Sequence, residues 1–425
     1  MRNFLQFVII IFSFQSFAQL DGYLVHNLDL PLPEFSVDLD SSAVSFLKVP
    51  FISFQLDLYS KPRISDFIYK KNSILFFNPS IYMNNMSQLS FHHMDMNNQL
   101  FYYLKRKKYI NYSFGLNHKF LLQGGFSNQF ISLILNGNYQ YLDQEISLSN
   151  NNIKAYNYLE WYFGYSRTIN KTFVSAKLKL LNGIASFGFE AGRTSIFSAE
   201  NSISNNTPFT TLVNSDFNAY YTEDIGFISN LGLALDLSLK YHLTKNISIY
   251  SSISDLGFIQ WNENQFISSG NYLFNGLDYS IDDNILDGFT NIYDSVVDVF
   301  SINKITSIKS RRYLPYETNM GLVYKFNDFR KNQISLNYHF QNLKISQPFS
   351  TFSIVYKTYF KSSKLTLAPV YSVNKFSRVN FSLLVNKQWR DSFVTNLYFD
   401  NIINLFTKFS DKMHAGLGVE FLLIL

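Results

Sequence analysis

The residues of this chain most able to bind a metal are two adjacent histidines, His92 and His93, which Asp95 closely follows. On an extended strand neighbouring side chains point to opposite faces, so only His93 and Asp95 share a face. A closed zinc site has four ligands, and two residues leave it incomplete. We therefore interpret these residues as ordinary strand-surface groups and predict neither a metal nor any other cofactor.

A second set of oxygen ligands lies in one acidic stretch: Asp278, Asp282, Asp283, Asp287, Asp294 and Asp298. Their spacing does not reproduce an EF-hand loop, which has ligands at alternate positions and ends in Glu. Two interpretations stay open, a solvated external loop, which we favour, or an external calcium site.

Motifs of common enzymes are missing from the sequence. It has no Gly-x-Ser-x-Gly elbow, no phosphate-binding Gly-x-x-x-x-Gly-Lys loop and no His-Glu-x-x-His helix. No nucleophile, base and orienting group occur together. We expect that the protein is not an enzyme and has no catalytic residues.

Charged residues do occur inside segments of alternating character. From Leu231 to Leu243 every second residue is large and apolar, and the residues between are small or polar. This period of two predicts a strand with one apolar face, which contacts either a second sheet or lipid. If the apolar face contacts lipid, the polar face lies inside a barrel. The predicted lumen-facing residues are then Glu160, Lys177, Lys179, Asp236 and Lys240. Such a mixed-sign set forms either an internal ion-pair network, which we favour, or a selectivity ring.

The amino terminus decides between the two environments. Arg2 precedes an apolar run over 4–14, and small residues end at Ala18, which predicts a signal peptide over 1–18. No later stretch is long and apolar enough for a membrane helix. The chain has no cysteine, which excludes disulfides and thiolate metal ligands. Its net charge of +5, or +4 without Arg2, is small and dispersed, which argues against nucleic-acid binding.

The whole pattern predicts an all-β fold, a transmembrane antiparallel outer-membrane β-barrel of about 14 strands over 87–425. The strands are expected near 87–104, 109–121, 126–141, 155–168, 172–190, 230–243, 246–261, 314–326, 333–343, 350–360, 364–373, 378–389, 393–402 and at the carboxyl end. Prolines in 19–86 disfavour central strands, so we predict that this segment either folds into the lumen as a plug or lies under the barrel. Apolar residues three and four apart predict a short external helix over 289–300, either a cover for loop surface or a lid.

The lengths of the connections predict which end of the barrel each one occupies. Short joints at 123–125, 169–171, 244–245, 327–332, 361–363 and 390–391 are expected on the periplasmic side. Because successive connections alternate between the two ends of the barrel, the basic run Lys105 to Lys108 is expected at an external turn. There it contacts either anionic lipid headgroups or water.

Five runs resemble a pattern in an uncharacterised family, a domain of unknown function, of Bacteroidota outer-membrane barrels. They lie at 158–160, 164–167, 177–183, 253–261 and 397–401, and the most distinctive reads Ile-Ser-Asp-Leu-Gly-Phe-Ile-Gln-Trp. The family-motif residues are Ser254, Asp255, Gly257, Trp261, Asp400 and Asn401. For Gly257 we favour a structural role, allowing a bulge or close packing, over lining a pathway.

Members of that family are similar in architecture to FadL-type channels and to the PorV barrel. The resemblance implies a protein of the cell outer membrane whose role is passage of small hydrophobic molecules. The alternative is a non-transporting scaffold or partner in type IX secretion or envelope assembly. The expected partners are outer-membrane lipid and lipopolysaccharide, with a small hydrophobic ligand or partner proteins, and no nucleic acid.

Overall fold

Alternation of apolar and polar side chains produces the strands of this protein, because neighbouring residues of a strand point to opposite faces. The computed structural model describes residues 45–48, 53–61, 68–71, 74–77, 89–107, 110–137, 139–200, 209–222, 229–274, 303–326, 332–342, 348–375, 379–390, 393–401 and 413–424. Most of them lie in antiparallel strands, which confirms the predicted all-β class.

The strands are, in chain order, β1 (Ser45–Lys48), β2 (Ser53–Lys61), β3 (Ile68–Lys71), β4 (Ile74–Phe77), β5 (Leu89–Lys107), β6 (Ile110–Ser127), β7 (Glu145–Ser147), β8 (Asn152–Ile169), β9 (Thr172–Ala191), β10 (Ser195–Glu200), β11 (Phe209–Thr222), β12 (Asn230–His242), β13 (Ile247–Phe274), β14 (Asn303–Tyr313), β15 (Glu317–Lys325), β16 (Gln333–Gln341), β17 (Phe349–Phe360), β18 (Leu365–Asn374), β19 (Asn380–Arg390), β20 (Phe393–Asp400) and β21 (Met413–Ile424). One α-helix, α1 (Asn128–Asn136), occurs in the part of the chain that the structure describes.

Nineteen of these strands form one sheet, and its pairing order returns to its starting point. Each strand from β15 to β21 pairs with the next one. β21 then pairs with β1 and β2, which both pair with β5. The order continues through β6, β8, β9, β12 and β13 back to β15. The sheet is therefore a closed antiparallel barrel.

Three positions of the barrel wall are each occupied by two strands placed end to end. β11 and β12 both lie between β9 and β13, while β14 and β15 both pair with the same side of β13. β1 and β2 share the position between β21 and β5. In two further positions the short strands β7 and β10, which pair with each other, extend β8 and β9. If each shared position counts once, the nineteen strands occupy fourteen positions, which agrees with the predicted number.

The two faces of the wall differ as the alternation predicts. On β12, Leu231, Leu233, Leu237 and Leu239 are exposed on the outer face, whereas the residues between them are mostly buried. Large exposed apolar side chains also cover the outer faces of β8, β9, β15, β16 and β17. An apolar exterior around a polar interior is the arrangement of a membrane-spanning barrel. None of the described helices has the length and apolar character needed to cross a bilayer.

The predicted strand over 126–141 is wrong, because this segment contains α1. The hydroxyl of Ser127 accepts a hydrogen bond from the Phe130 N–H at 3.2 Å, which caps the first turn. Phe130, Leu133 and Ile134 recur at spacings of three and four, which is a helical period. The helix predicted over 289–300, the signal peptide predicted over 1–18 and the acidic stretch 278–298 lie outside the described residues.

The prediction of a lumen plug is wrong for 45–48 and 53–61, since β1 and β2 lie in the wall. Both pair with β5 and β21, so they close the barrel between its first long strand and its last strand. Pro50 falls between the two strands and Pro62 follows the second, so neither proline interrupts a ladder.

Because 126–141 does not form a wall strand, the strands before it run in the direction opposite to the predicted one. Short connections join β5 to β6, β8 to β9 and β12 to β13 at one rim. We call this the periplasmic rim and the opposite one the external rim, because bacterial barrels have short periplasmic turns. The predicted external position is wrong for 105–107, since β5 ends with Lys107 at the periplasmic rim, and Lys108 lies outside the described residues. The predicted joint at 123–125 lies inside β6, near the external rim.

Candidate functional site

A β-bulge in β13 positions the most distinctive charged residue of the chain. Leu235 pairs with Leu256 and Leu237 pairs with Ile253, so two residues of β13, one of them Asp255, lie opposite Asp236 alone. Asp255 has a φ of 60°, a left-handed conformation that Asp adopts more readily than most residues. Its N–H donates a hydrogen bond to Asp236 Oδ1 at 2.9 Å.

Around this bulge five buried or partly buried side chains form what we call the charge network: Lys119, Lys179, Glu160, Asp236 and Asp255. The ammonium of Lys179 lies 2.7 Å from Asp255, 2.8 Å from Asp236 and 3.3 Å from Glu160. The ammonium of Lys119 lies 2.8 Å from Asp255 and 3.4 Å from Glu160. Three carboxylates therefore surround two ammonium groups inside the barrel.

The charge network reaches across the interior. Lys119 is on β6 and Asp255 is on β13, and three other wall strands, β8, β9 and β12, lie between them. Four interstrand steps of about 4.8 Å correspond to about 19 Å along the wall. Because the two side chains nevertheless touch, they meet inside the barrel, and the network occupies this part of the interior.

Directly on the external side of the charge network lies a group of buried apolar residues, which we call the apolar layer: Tyr158, Leu181, Ala234, Ile259, Trp261 and Leu314. On β8, β9 and β12 these residues are the next inward positions after the charged ones, because inward positions recur every two residues. Trp261 is the largest member and only 1% exposed. The apolar layer is therefore part of the barrel interior.

A second polar group closes the apolar layer on its external side. The guanidinium of Arg312 binds the carboxylate of Glu263, with Nη2 at 2.7 Å from Oε2, and lies 3.3 Å from the ring centroid of Tyr220. Ser186 Oγ donates to Glu263 Oε1 at 2.6 Å. The apolar layer thus lies between two groups of ion-paired side chains.

Beside the apolar layer the described strands leave a gap in the wall between Thr222 at the end of β11 and Asn230 at the start of β12, and residues 223–228 lie outside the described ranges. Side chains replace some of the ladder hydrogen bonds there. The N–H of Ser186 donates to Thr222 Oγ1 at 2.8 Å, and the N–H of Asn262 donates to Asn230 Oδ1 at 2.7 Å. Asn230 Nδ2 donates to the carbonyl oxygen of Gly183 at 3.2 Å. We call this place the wall break.

The indole of Trp261 packs where the apolar layer meets the wall break. A Cβ atom on Gly183 would lie 2.5 Å from Trp261 Cζ3 and 2.9 Å from Asn230 Cβ. Only glycine therefore fits there without displacing the indole. Trp261, Gly183 and Asn230 define the inner edge of the break.

The structure brings together some of the sequence-predicted residues. Glu160, Lys179 and Asp236 meet in the charge network. Lys177 is buried on the same face, with its ammonium 5.2 Å from the Tyr162 ring centroid. Lys240 is buried nearer the periplasmic rim, opposite Tyr250. The sequence analysis missed Lys119, although Phe114, Leu116, Phe120 and Leu122 around it carry the same period-two signal.

The family-motif residues fall into two separate places. Ser254 and Asp255 form the bulge, and Gly257 packs against the β12 backbone. Asp400 and Asn401 are buried at the external end of β20, where Asp400 accepts a hydrogen bond from Ser382 Oγ. Asn401 Nδ2 donates to Asn380 Oδ1 at 2.7 Å.

His93 and Asp95 both lie in β5. No group of three or more His, Cys, Asp or Glu side chains in the described ranges could hold a metal ion.

Taken together, a closed antiparallel barrel with an apolar exterior and ion-paired interior defines a membrane-spanning β-barrel protein. The chain belongs to a family of unknown function, DUF5723, whose model matches residues 40–394. This confirms the expected membership in a family without assigned chemistry. No curated protein matches the chain.

Several solved structures are similar over most of the chain. The toluene transporter TbuX of Ralstonia pickettii shares 8% identity over 91% of this chain and 90% of its own, with a TM-score of 0.43. The toluene transporter TodX of Pseudomonas putida shares 9% over 96% and 94%, with a TM-score of 0.41. A Pseudomonas aeruginosa FadL homologue shares 9% over 90% and 89%, with a TM-score of 0.42. Likeness at this level assigns no function to this chain.

Proposed function

We propose that this protein is an outer-membrane channel for small hydrophobic molecules, and that these molecules contact the apolar layer on their way through the barrel. The observation that carries the proposal is the position of the apolar layer beside the wall break, with Trp261 at the boundary. An apolar molecule gains about 25 cal/mol for each Å² of its surface that leaves water, so a buried aromatic layer favours it.

The charge network determines the direction of the proposed passage. An apolar molecule that moved from the apolar layer along the barrel axis toward the periplasmic rim would have to separate Lys179 from its three carboxylate partners. Separation of buried charges is strongly unfavourable. The wall break offers an exit toward the lipid that leaves these ion pairs intact.

A second candidate function is a non-transporting scaffold or a partner in secretion or envelope assembly. The contact between Lys119 and Asp255 favours it, because side chains from distant strands fill this part of the interior. The two functions differ in one measurable property, since a scaffold does not change the permeability of the membrane to apolar solutes.

The test is the uptake of N-phenyl-1-naphthylamine, an apolar dye whose fluorescence rises in lipid, by cells that produce the protein. We expect faster uptake with the wild-type protein than without it. Gly183→Leu should abolish the gain, because the new side chain displaces Trp261 and fills the layer beside the break. The control Gly125→Leu should retain it, since a Cβ there has no contact closer than 3.5 Å.

Folding of each variant is checked by heat-modifiable migration in gels, and Leu314→Gln, which makes the apolar layer polar, serves as a second variant. Equal uptake with and without the wild-type protein would contradict the channel and favour the scaffold. Unchanged uptake by folded Gly183→Leu and Leu314→Gln would contradict passage through the apolar layer.

A further inference from the structure

The outer face of β14 carries two basic side chains next to an exposed tyrosine. Arg312 points inward to Glu263, so alternation directs Lys309, Arg311 and Tyr313 outward. All three are exposed. Lys309 and Arg311 are two residues apart on a strand, which separates them by about 7 Å along it.

Aromatic rings orient one of these basic groups. The Arg311 guanidinium lies 4.5 Å from the ring centroid of Phe258 on β13, which is within the range of a cation–π interaction. The Phe258 and Tyr313 rings meet edge to face at 6.2 Å. The result is a small outward surface, the β14 patch, with Lys309 and Arg311 above and the two aromatic rings below.

The height of the β14 patch matches the external edge of the lipid-facing surface. The outward residues of β13 from Ile249 to Phe258, nine residue steps, are mostly apolar, and the polar Gln260 and Asn262 follow them. With a rise of about 3.3 Å per residue and a tilt of about 40°, these steps cover about 23 Å, close to the apolar band of about 25 Å in such barrels. Arg311 pairs with Gln260, just beyond that band. It therefore lies at the level of the headgroups of the outer leaflet.

Protein partners of opposite charge are lacking at the β14 patch within the described ranges. Neither Lys309 nor Arg311 forms an ion pair with a carboxylate of the described residues, whereas neighbouring Arg312 does. On an aromatic girdle at a membrane surface, basic side chains attract anionic headgroups.

We infer that the β14 patch binds the phosphate groups of a glycolipid of the outer leaflet. Lys309 and Arg311 contact the phosphates, and Phe258 and Tyr313 pack against the apolar part of the lipid. This site is independent of the proposed channel. It replaces the lipid-headgroup contact predicted for Lys105 to Lys108, because β5 ends with Lys107 at the periplasmic rim.

The test measures binding of diphosphoryl lipid A to the purified full chain in detergent by native mass spectrometry. We expect Lys309→Gln with Arg311→Gln to weaken binding by about thirtyfold, on the basis of about fivefold for each basic residue at an anionic surface. Arg167→Gln with Lys325→Gln is the matched control. It removes two exposed charges at the periplasmic rim and should leave affinity within about twofold of the wild type, because distant charges are screened.

Two further probes separate a lipid site from a simple anion site. Dephosphorylated lipid A should bind poorly, and inorganic phosphate at equal concentration should not displace the lipid. Arg311→Lys, which keeps the charge, should retain most of the affinity. Wild-type affinity in the double Gln variant, equal binding of dephosphorylated lipid A, or full displacement by inorganic phosphate would each overturn the inference.

Discussion

Lys179→Met is expected to destabilise the barrel more than any other single loss of charge in the interior. The substitution leaves Asp236 without its only ion-pair partner among the described residues and removes one of the two cations beside Asp255 and Glu160. Removal of one member of a buried charge group costs about 3–5 kcal/mol of unfolding free energy. We therefore expect a large decrease in the urea concentration that unfolds the protein in lipid vesicles.

An ion pair with one well-exposed partner, Lys154 with Glu190, provides the control for this substitution. These residues lie on β8 and β9, their charged groups are 3.4 Å apart, and Lys154 is 19% and Glu190 65% exposed. Lys154→Met should cost less than about 1 kcal/mol, because Glu190 is solvated and ion pairs of solvated groups contribute little. Adding Asp236→Asn to Lys179→Met should restore part of the stability, since it removes one uncompensated carboxylate. Equal stability of Lys179→Met and Lys154→Met would contradict the structural role of the charge network.

Gly257→Val is expected to prevent assembly of the barrel. A Cβ atom at this position would lie 2.2 Å from the carbonyl oxygen of Leu233 and 2.6 Å from the Ala234 Cα, so it would collide with backbone that cannot move aside. β12 and β13 would have to separate where the bulge and the charge network lie. We expect no heat-modifiable, folded species in isolated membranes.

Gly125→Val tests whether this effect is specific to close strand packing. Gly125 is also in a wall strand, but its nearest Cβ contact would be an ordinary 3.5 Å to the Asn152 side chain. It should yield a folded barrel at the wild-type level. A folded Gly257→Val protein with altered permeability would instead support a pathway role for this glycine.

The wall strands that could be predicted best are those whose alternation is uninterrupted. β12 and β16 show it over their whole length, so their inner and outer faces follow from the sequence. β1 and β2 were missed because prolines close by suggested irregular structure. In a chain that places its prolines between strands, proline density marks the strand ends and does not exclude the strands.

The error at 126–141 has a different physical origin. Its apolar residues are dense enough to suit a strand, but their spacing of three and four and the Ser127 cap favour α1. One misassigned strand inverted the expected orientation of every strand before it. The predicted alternation of periplasmic and external connections is correct from β8 onward, because the error at 126–141 does not affect those strands.

The candidate site could be predicted only in part, since alternation assigns a face to each residue but gives no contacts between strands. Glu160, Lys179 and Asp236 were expected on the inner face, yet their meeting with Lys119 depends on the curvature of the closed barrel. The wall break could not be predicted, because β11 is not among the predicted strands and its place end to end with β12 follows only from their shared partners. A bulge was considered at Gly257, and the structure has it at Ser254 and Asp255.

The central claim, that small hydrophobic molecules enter the apolar layer, is tested most directly by the fluorescence of Trp261. The chain has 3 tryptophans, and Trp161 and Trp389 are exposed while Trp261 is buried. Trp161→Phe with Trp389→Phe leaves Trp261 as the single reporter, and Trp261→Phe with Trp389→Phe leaves Trp161 as the control on the outer face. Bromobenzene, whose bromine quenches indole fluorescence on contact, is titrated into both proteins in vesicles. We predict saturable quenching of Trp261 and a linear, partition-limited response of Trp161. Unquenched Trp261, or a linear response equal to that of Trp161, would contradict the claim.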